Sequence, residues 1–264
     1  MRMDFDTLAL QRHGPHVLQV TLDRPESANA INTQMGRELE SLWAALTEDP
    51  GEVRCIVLTG AGDRVFCAGG DLKERDGMSP AQWQRQHEIF ERMYWLLTDL
   101  PLPVIAAVNG HAYGGGFETL LSCDFAYAAE HARLALTEVT LGIMPGAGGT
   151  QNLPRAAGER RAKEILLTGR PISAQDALRW GIVNAVHPGP QLLPRALETA
   201  AAIASNAPLS VRQIKKSVRY GTQMELRTAF RFEVEAYNRL VDTEDRREGV
   251  RAFNEKRAPA FTGR

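Results

Sequence analysis

The chain has 264 residues, 44% hydrophobic and 24% charged, and its 31 basic and 32 acidic side chains give a formal net charge of −1. An ordinary apolar fraction and a near-zero charge exclude intrinsic disorder and a strongly basic nucleic-acid binder. The length suits one large α/β domain, or one domain with an appended subdomain.

Val17 to Leu22 alternates and is rich in β-formers, and Arg24-Pro25 ends the run because proline cannot continue a ladder. Met35, Leu39, Leu42, Trp43 and Leu46 recur at helical spacing and predict a helix over 33–47. Val53 to Thr59 reads as a buried strand closed by glycine. Ser79-Pro80-Ala81-Gln82 is a capping box with proline at the first helical position, opening a helix to about Thr98. A strand over Val104–Val108, a short helix over 115–122 and a strand over Phe125–Ala128 follow. Strands alternating with helices imply βαβ units with right-handed crossovers.

From about Gly149 onward the expected elements are almost all helices: 159–167, 173–180, 191–205, 209–220 and 244–254. A Thr222-x-x-Glu225 capping box opens one more, running to Val241. An α/β core over 1–190 therefore carries a helical region over 191–264, divided at His187-Pro188-Gly189-Pro190. Phe230, Val234, Tyr237 and Leu240 form an apolar face with few partners in its own segment, so an oligomer is expected.

The N-terminal MRMDFDTLALQRHG lacks the apolar centre of a signal peptide, and no aliphatic run approaches the ~20 residues of a membrane span. Cys55, Cys67 and Cys123 are odd in number and show no C-x-x-C spacing, which reads as reduced thiols in a cytoplasmic protein. The six histidines are scattered, so no metal site is expected. No G-x-G-x-x-G, Walker, G-x-S-x-G or H-E-x-x-H motif is present, which removes dinucleotide, P-loop, serine-hydrolase and zinc-protease chemistry.

What remains lies in three loops. Val65-Phe66-Cys67-Ala68-Gly69-Gly70-Asp71-Leu72-Lys73 is expected directly after the strand at 53–59. Asn109-Gly110-His111-Ala112-Tyr113-Gly114-Gly115-Gly116-Phe117-Glu118 is expected directly after the strand at 104–108. Small-residue turns at strand ends are where α/β folds place ligands, and glycine lets backbone N–H groups approach closely. Two such turns could aim two N–H donors at one oxygen. Leu134 to Gly142 sets Glu138 in an apolar run, where a carboxylate is either paired or raised in pKa. Taken singly, Glu118 could serve a helix dipole and Glu138 a core ion pair. Brought to one crevice, they suit general acid and base work.

AGGDLKE, NGHAYGGGFE, LTEVTLGIMPGAGGTQNLPR, LDRPESANAIN and the C-terminal EGVRAFNEKRAPAFTGR resemble the crotonase (enoyl-CoA hydratase/isomerase) superfamily across the whole chain. The resemblance implies a spiral of ββα units with a C-terminal helical region that builds trimers and hexamers. It implies an acyl-CoA thioester as substrate, with no cofactor beyond that CoA and no membrane or nucleic-acid partner. The N–H groups of Ala68 and Gly115 are expected to form an oxyanion hole. Ser27, Ala28, Ala68, Gly69, Gly70 and Asp71 map to CoA-contacting positions. Relatives keeping both glutamates are typically hydratases, so Glu118 is assigned to water activation and Glu138 to proton exchange at C2.

Only five of the bases are lysines (Lys73, Lys163, Lys215, Lys216 and Lys256), so each can be asked what it does. Lys73 and Lys256 are expected to contact CoA phosphate or adenine; Lys215-Lys216 with Arg212 and Arg219 reads as a solvated helix face. Phe117 and Thr119 depart from the family's frequent Cys and Leu and bear on the acyl pocket. LKERDGM and the C-terminal segment are similar to the methylglutaconyl-CoA hydratase branch; ANAI and GGGFE are similar to the carnitinyl-CoA dehydratase branch. An enoyl-CoA isomerase stays open as well. A non-catalytic CoA- or RNA-binding relative, with Arg160, Arg161, Lys163 and the 212–219 helix as its basic surface, is the competing class. Near-zero net charge and two intact glutamates stand against it.

Overall fold

In the computed structural model, which describes residues 4–264, a hairpin of β1 (Leu8–His13) and β2 (Val17–Leu22) leads into α1 (Thr33–Glu48). Then β3 (Cys55–Gly60) and β4 (Val65–Cys67) precede the single-turn α2 (Leu72–Arg75) and the long α3 (Pro80–Asp99). β5 (Val104–Val108) and β6 (His111–Tyr113) precede α4 (Gly115–Ser122). β7 (Phe125–Ala129) and β8 (Arg133–Ala135) precede a 3-10 turn at Glu138–Leu141. The chain continues through α5 (Gly149–Ala157), α6 (Glu159–Thr168), β9 (Ile172–Ser173), α7 (Ala174–Arg179) and β10 (Ala185–His187). It ends with α8 (Gly189–Ala204), α9 (Pro208–Gly221), α10 (Leu226–Val241) and α11 (Glu244–Asn254).

Three times in succession a longer strand and a short one are followed by a helical segment. The longer strands enter one sheet, ordered β1-β2-β3-β5-β7-β10, and the short ones a second, ordered β4-β6-β8-β9. Each ββα turn therefore contributes to both sheets. β3 and β5 pair in parallel and are buried along their whole length, which is why CIVLTG and VIAAV are near-continuous apolar runs.

One face of the larger sheet packs on α1 and α3. The Asn32 side chain caps α1 by accepting the Met35 N–H, and Met35, Leu39, Leu42, Trp43 and Leu46 are buried as the spacing demands. The Ser79–Gln82 capping box forms as expected and starts α3. On the opposite face, Cys55, Val57, Ile105 and Ala107 meet Leu192, Ala196, Ala200 and Ala204 of α8. The helix that composition assigned to the C-terminal region thus closes the core of the α/β part. α9, α10 and α11 leave Ile214, Val218, Leu226, Phe230, Tyr237 and Phe253 exposed.

Several local expectations are corrected. β4, β6, β8, β9 and β10 are two or three residues long, too short for any alternation to show, and the two glycine turns follow β4 and β6 directly rather than the strands at 53–59 and 104–108. Thr222 does not cap α10: Glu225 does, its carboxylate accepting the Arg227 and Thr228 N–H groups. Lys215 is not solvated. Its Nζ donates to Leu102 O at 2.8 Å and to Asp124 Oδ2 at 2.7 Å, and Asp124 Oδ2 also accepts the Val104 N–H that opens β5. All three thiols are free, and burial pushes Cys55 and Cys67 up to about 12, which leaves them protonated and inert. Among the described residues no helix is long and apolar enough to cross a membrane.

Replacing Lys215 by alanine removes the cation paired with Asp124 and the donor to the buried Leu102 carbonyl, so unfolding stability should fall by about 1–3 kcal/mol. Urea denaturation measures this directly. Lys163→Ala, on an exposed helix pair, should leave the midpoint unchanged, and equal shifts for the two variants would contradict the assignment.

Candidate active site

β4 and β6 are parallel neighbours, so their carboxyl ends deliver Ala68-Gly69-Gly70 and Gly114-Gly115-Gly116 side by side. Gly69 has φ +93° and Gly114 φ +51°, a region that side chains rarely adopt. A Cβ on Gly69 would stand 2.8 Å from the Tyr113 carbonyl oxygen, and one on Gly116 would overlap the Cys67 carbonyl. The two turns approach this closely only because both are glycine.

The backbone N–H groups of the two turns divide into those with an acceptor in the fold and those without. Ala68 donates to Ala28 O at 3.1 Å, Asp71 to Ile31 O at 3.0 Å, and Gly114 to Ala135 O at 2.8 Å. Gly69 faces Cys67 Sγ at 3.4 Å. Gly70 and Gly115 have no acceptor among the described residues, and the Gly70 nitrogen lies 3.7 Å from where a Gly115 Cβ would be. The donor pair expected at Ala68 and Gly115 is therefore corrected to Gly70 and Gly115, because the Ala68 N–H is spent within the fold. Tyr94 Oη donates to Gly115 O at 2.7 Å and lies 3.1 Å from Thr119 Oγ1, which holds the first turn of α4.

Both glutamates line the same cleft of about 630 Å³, together with Gly70 and Gly115. Glu118, on the first turn of α4, is buried, and its Oε1 accepts the N–H groups of Ala147 and Gly149, each at 2.8 Å. Burial pushes its pKa up, and the two N–H donors oppose that rise by favouring the carboxylate. Glu138 opens the 3-10 turn after β8, and its Oε2 is buried with no partner. Burial, with a smaller contribution from the Glu118 charge, pushes Glu138 up to about 7. Burial thus raises both carboxyls, and only at Glu118 do N–H groups from a neighbouring turn oppose the rise.

Ala68 and Gly69 also line the cleft. Ser27 and Ala28 lie in the turn whose Ala28 carbonyl receives the Ala68 N–H. Asp71 pairs with Arg24 at 2.9 Å and caps α2, so its carboxylate is engaged within the fold. Lys73 and Lys256 are exposed and do not line the cleft. Phe117 is fully buried in the core rather than at the pocket wall, and Thr119 supports Tyr94. Tyr94, Arg75, Trp83 and His87 line the cleft without having been singled out in sequence. The spacing of Trp83, His87 and Tyr94 along α3 was the available signal.

The enoyl-CoA hydratase/isomerase family profile matches residues 12–264. The chain is 39% identical over 255 residues to a short-chain-enoyl-CoA hydratase of Clostridium acetobutylicum, covering 97% of each. It is 41% identical over 253 residues to an (E)-benzylidenesuccinyl-CoA hydratase of Thauera aromatica, covering 94% of this chain and 96% of that one. The crystal structure of an enoyl-CoA hydratase from Bacillus anthracis superposes with a TM-score of 0.96 at 44% identity, covering 98% of this chain and 100% of that one. The fold is that of an enzyme of the crotonase type. This chain belongs to the enoyl-CoA hydratase/isomerase family.

A carboxyl whose folded pKa exceeds its unfolded value binds its proton more tightly in the folded protein. Glu138 should therefore lower stability as pH rises from its ordinary 4.5 through about 7, with no further loss above. Melting curves between pH 5 and pH 8 should show a steeper decline for the natural chain than for Glu138→Gln, with the variant melting higher at pH 8. Parallel declines would remove the buried, unpaired carboxyl.

Proposed function

We propose that the protein is an enoyl-CoA hydratase, adding water across the C2=C3 bond of a trans-2-enoyl-CoA thioester. The observation that carries this is the union, in one cleft, of two unspent N–H donors with two glutamates in unlike environments. The names of the Clostridium and Thauera relatives, both hydratases, support the same reaction.

Addition of water places negative charge on the thioester oxygen. The Gly70 and Gly115 N–H groups are pre-set to receive it, each worth about 3 kcal/mol by comparison with other oxyanion donors. Glu118, whose Oε1 accepts the Ala147 and Gly149 N–H groups, takes a proton from water as the water oxygen bonds to C3. The C2=C3 pair moves toward the thioester, giving the enolate. Glu138, whose pKa burial raises to about 7, delivers its proton to C2 from the acid form, and exchange with solvent restores both groups. The two act as one unit, with protonation states set relative to each other. Lys73 and Lys256 would reach CoA only if the bound cofactor portion extends past the cleft, or, for Lys256, from an adjoining subunit. The exposed apolar faces of α9 to α11 support assembly into trimers or hexamers.

Hydration of crotonyl-CoA, followed by loss of the enoyl absorbance, should fall roughly 10²-fold or more in each of Glu118→Gln and Glu138→Gln. Near-natural rates in both would refute the assignment. Hydration needs Glu138 protonated, so kcat/KM should fall as pH rises through about 7. Dehydration of 3-hydroxybutyryl-CoA should fall in parallel, because the reaction takes up no net proton and its equilibrium constant fixes the ratio of the two kcat/KM values at every pH. In Glu138→Gln this inflection should be gone, and its persistence would assign the titration to another group.

A further inference from the structure

The cleft contains one guanidinium, that of Arg75 at the end of α2, which hydration does not use. Its guanidinium is held from several sides. Nε donates to Oε1 of the buried Gln86 at 2.7 Å, and Gln86 Nε2 donates in turn to Thr33 Oγ1 at 2.8 Å and Glu74 Oε2 at 2.7 Å. The Trp83 ring lies 4.3 Å from Cζ and the Phe90 ring 5.4 Å. A Cβ on Gly70 would stand 3.3 Å from Cζ and Nη1, so the cation lies beside the residue whose N–H is unspent.

What its terminal nitrogens lack is an acceptor, although the Glu74 charge acts on the guanidinium from beyond Gln86. Among the described residues, Nη1 and Nη2 have no hydrogen-bond acceptor, and no carboxylate forms an ion pair with Arg75. Glu74 is adjacent in sequence, but its Oε2 is spent on the Thr33 N–H and on Gln86. Half-buried guanidinium N–H groups without an acceptor cost free energy, and an immobilised guanidinium loses little entropy on gaining a partner. Its open edge matches a carboxylate through two parallel N–H bonds. For a plain alkyl chain such a wall would be a poor neighbour. Glu88 and Glu91 also line the cleft but are solvent-exposed, where screening weakens their repulsion of an anion.

We propose that Arg75 selects enoyl-CoA substrates whose acyl chain carries a carboxylate beyond the double bond. The thioester carbonyl takes the Gly70 and Gly115 N–H groups, and the distal carboxylate takes the open edge of the Arg75 guanidinium. This rests on the hydratase reading above and narrows its substrate class.

The test compares glutaconyl-CoA, which ends in a carboxylate, with 5-methylhex-2-enoyl-CoA, an uncharged chain of similar shape. The natural enzyme should favour glutaconyl-CoA by about tenfold or more in kcat/KM, and Arg75→Gln should cut that ratio by about 30-fold, chiefly through KM. Arg75→Lys, which keeps the charge and loses the fork, should recover only part of it. A ratio unchanged in Arg75→Gln would overturn the proposal, and equal losses on both substrates would place Arg75 against a CoA phosphate instead. Calorimetric binding of the saturated pair, glutaryl-CoA and 5-methylhexanoyl-CoA, reads the same ratio without turnover. Preserved binding selectivity with no hydration would overturn the hydratase reading alone. Intact hydration without selectivity would overturn the role of Arg75 alone.

Discussion

The close approach of two glycine turns is the constraint on which the rest of the site depends. Gly69 and Gly116 stand where a single methyl group would collide with the opposing carbonyl oxygens of Tyr113 and Cys67. Because the turns close to that extent, the Gly70 and Gly115 N–H groups open into the same space. The double-sheet architecture exists in service of this contact: each ββα turn carries its longer strand into the buried sheet and its short strand into the second one. The adjacency of β4 and β6 then aligns the two turns without any side chain having to bridge them.

The same economy governs the glutamates. Nothing in the chemistry of the two side chains distinguishes Glu118 from Glu138; backbone donors do. Ala147 and Gly149 turn their N–H groups on Glu118, and Gly149 must be glycine because a Cβ there would come within 2.9 Å of Glu118 Oε1. Glu138 shares the burial but receives no donor at Oε2. Two carboxyls of one type therefore sit in one cleft with unlike hydrogen-bond partners, an asymmetry that suits general acid and general base work.

Much of this was legible in sequence wherever a signal extends over many residues. The α1 stripe, the Ser79 capping box, the apolar runs of β3 and β5, and the motifs carrying Glu118 and Glu138 all emerged in place. What escaped was decided by contacts distant in sequence. The motif located the oxyanion turn but not which amide in it was free; that depended on the Ala28 carbonyl arriving from another loop to occupy the Ala68 N–H. Lys215 sits in a basic helix face and was read as solvated, yet a partner at Asp124 and a carbonyl at Leu102 draw it inward. Thr222 offered the right spacing for a cap, but Glu225 stands nearer to the free amides of α10. Arg75 belongs to a run of charges, LKERD, whose members only the packing of α3 tells apart.

The central claim is that the thioester oxygen is received by Gly70 and Gly115. A crystal structure with acetoacetyl-CoA, a thioester that cannot be hydrated, tests it most directly. The thioester carbonyl oxygen should lie about 3 Å from both the Gly70 and Gly115 nitrogens, with the Ala68 N–H still bonded to the Ala28 carbonyl. A carbonyl bound at the Ala68 nitrogen, with the Ala28 contact broken, or one touching neither glycine, would contradict it.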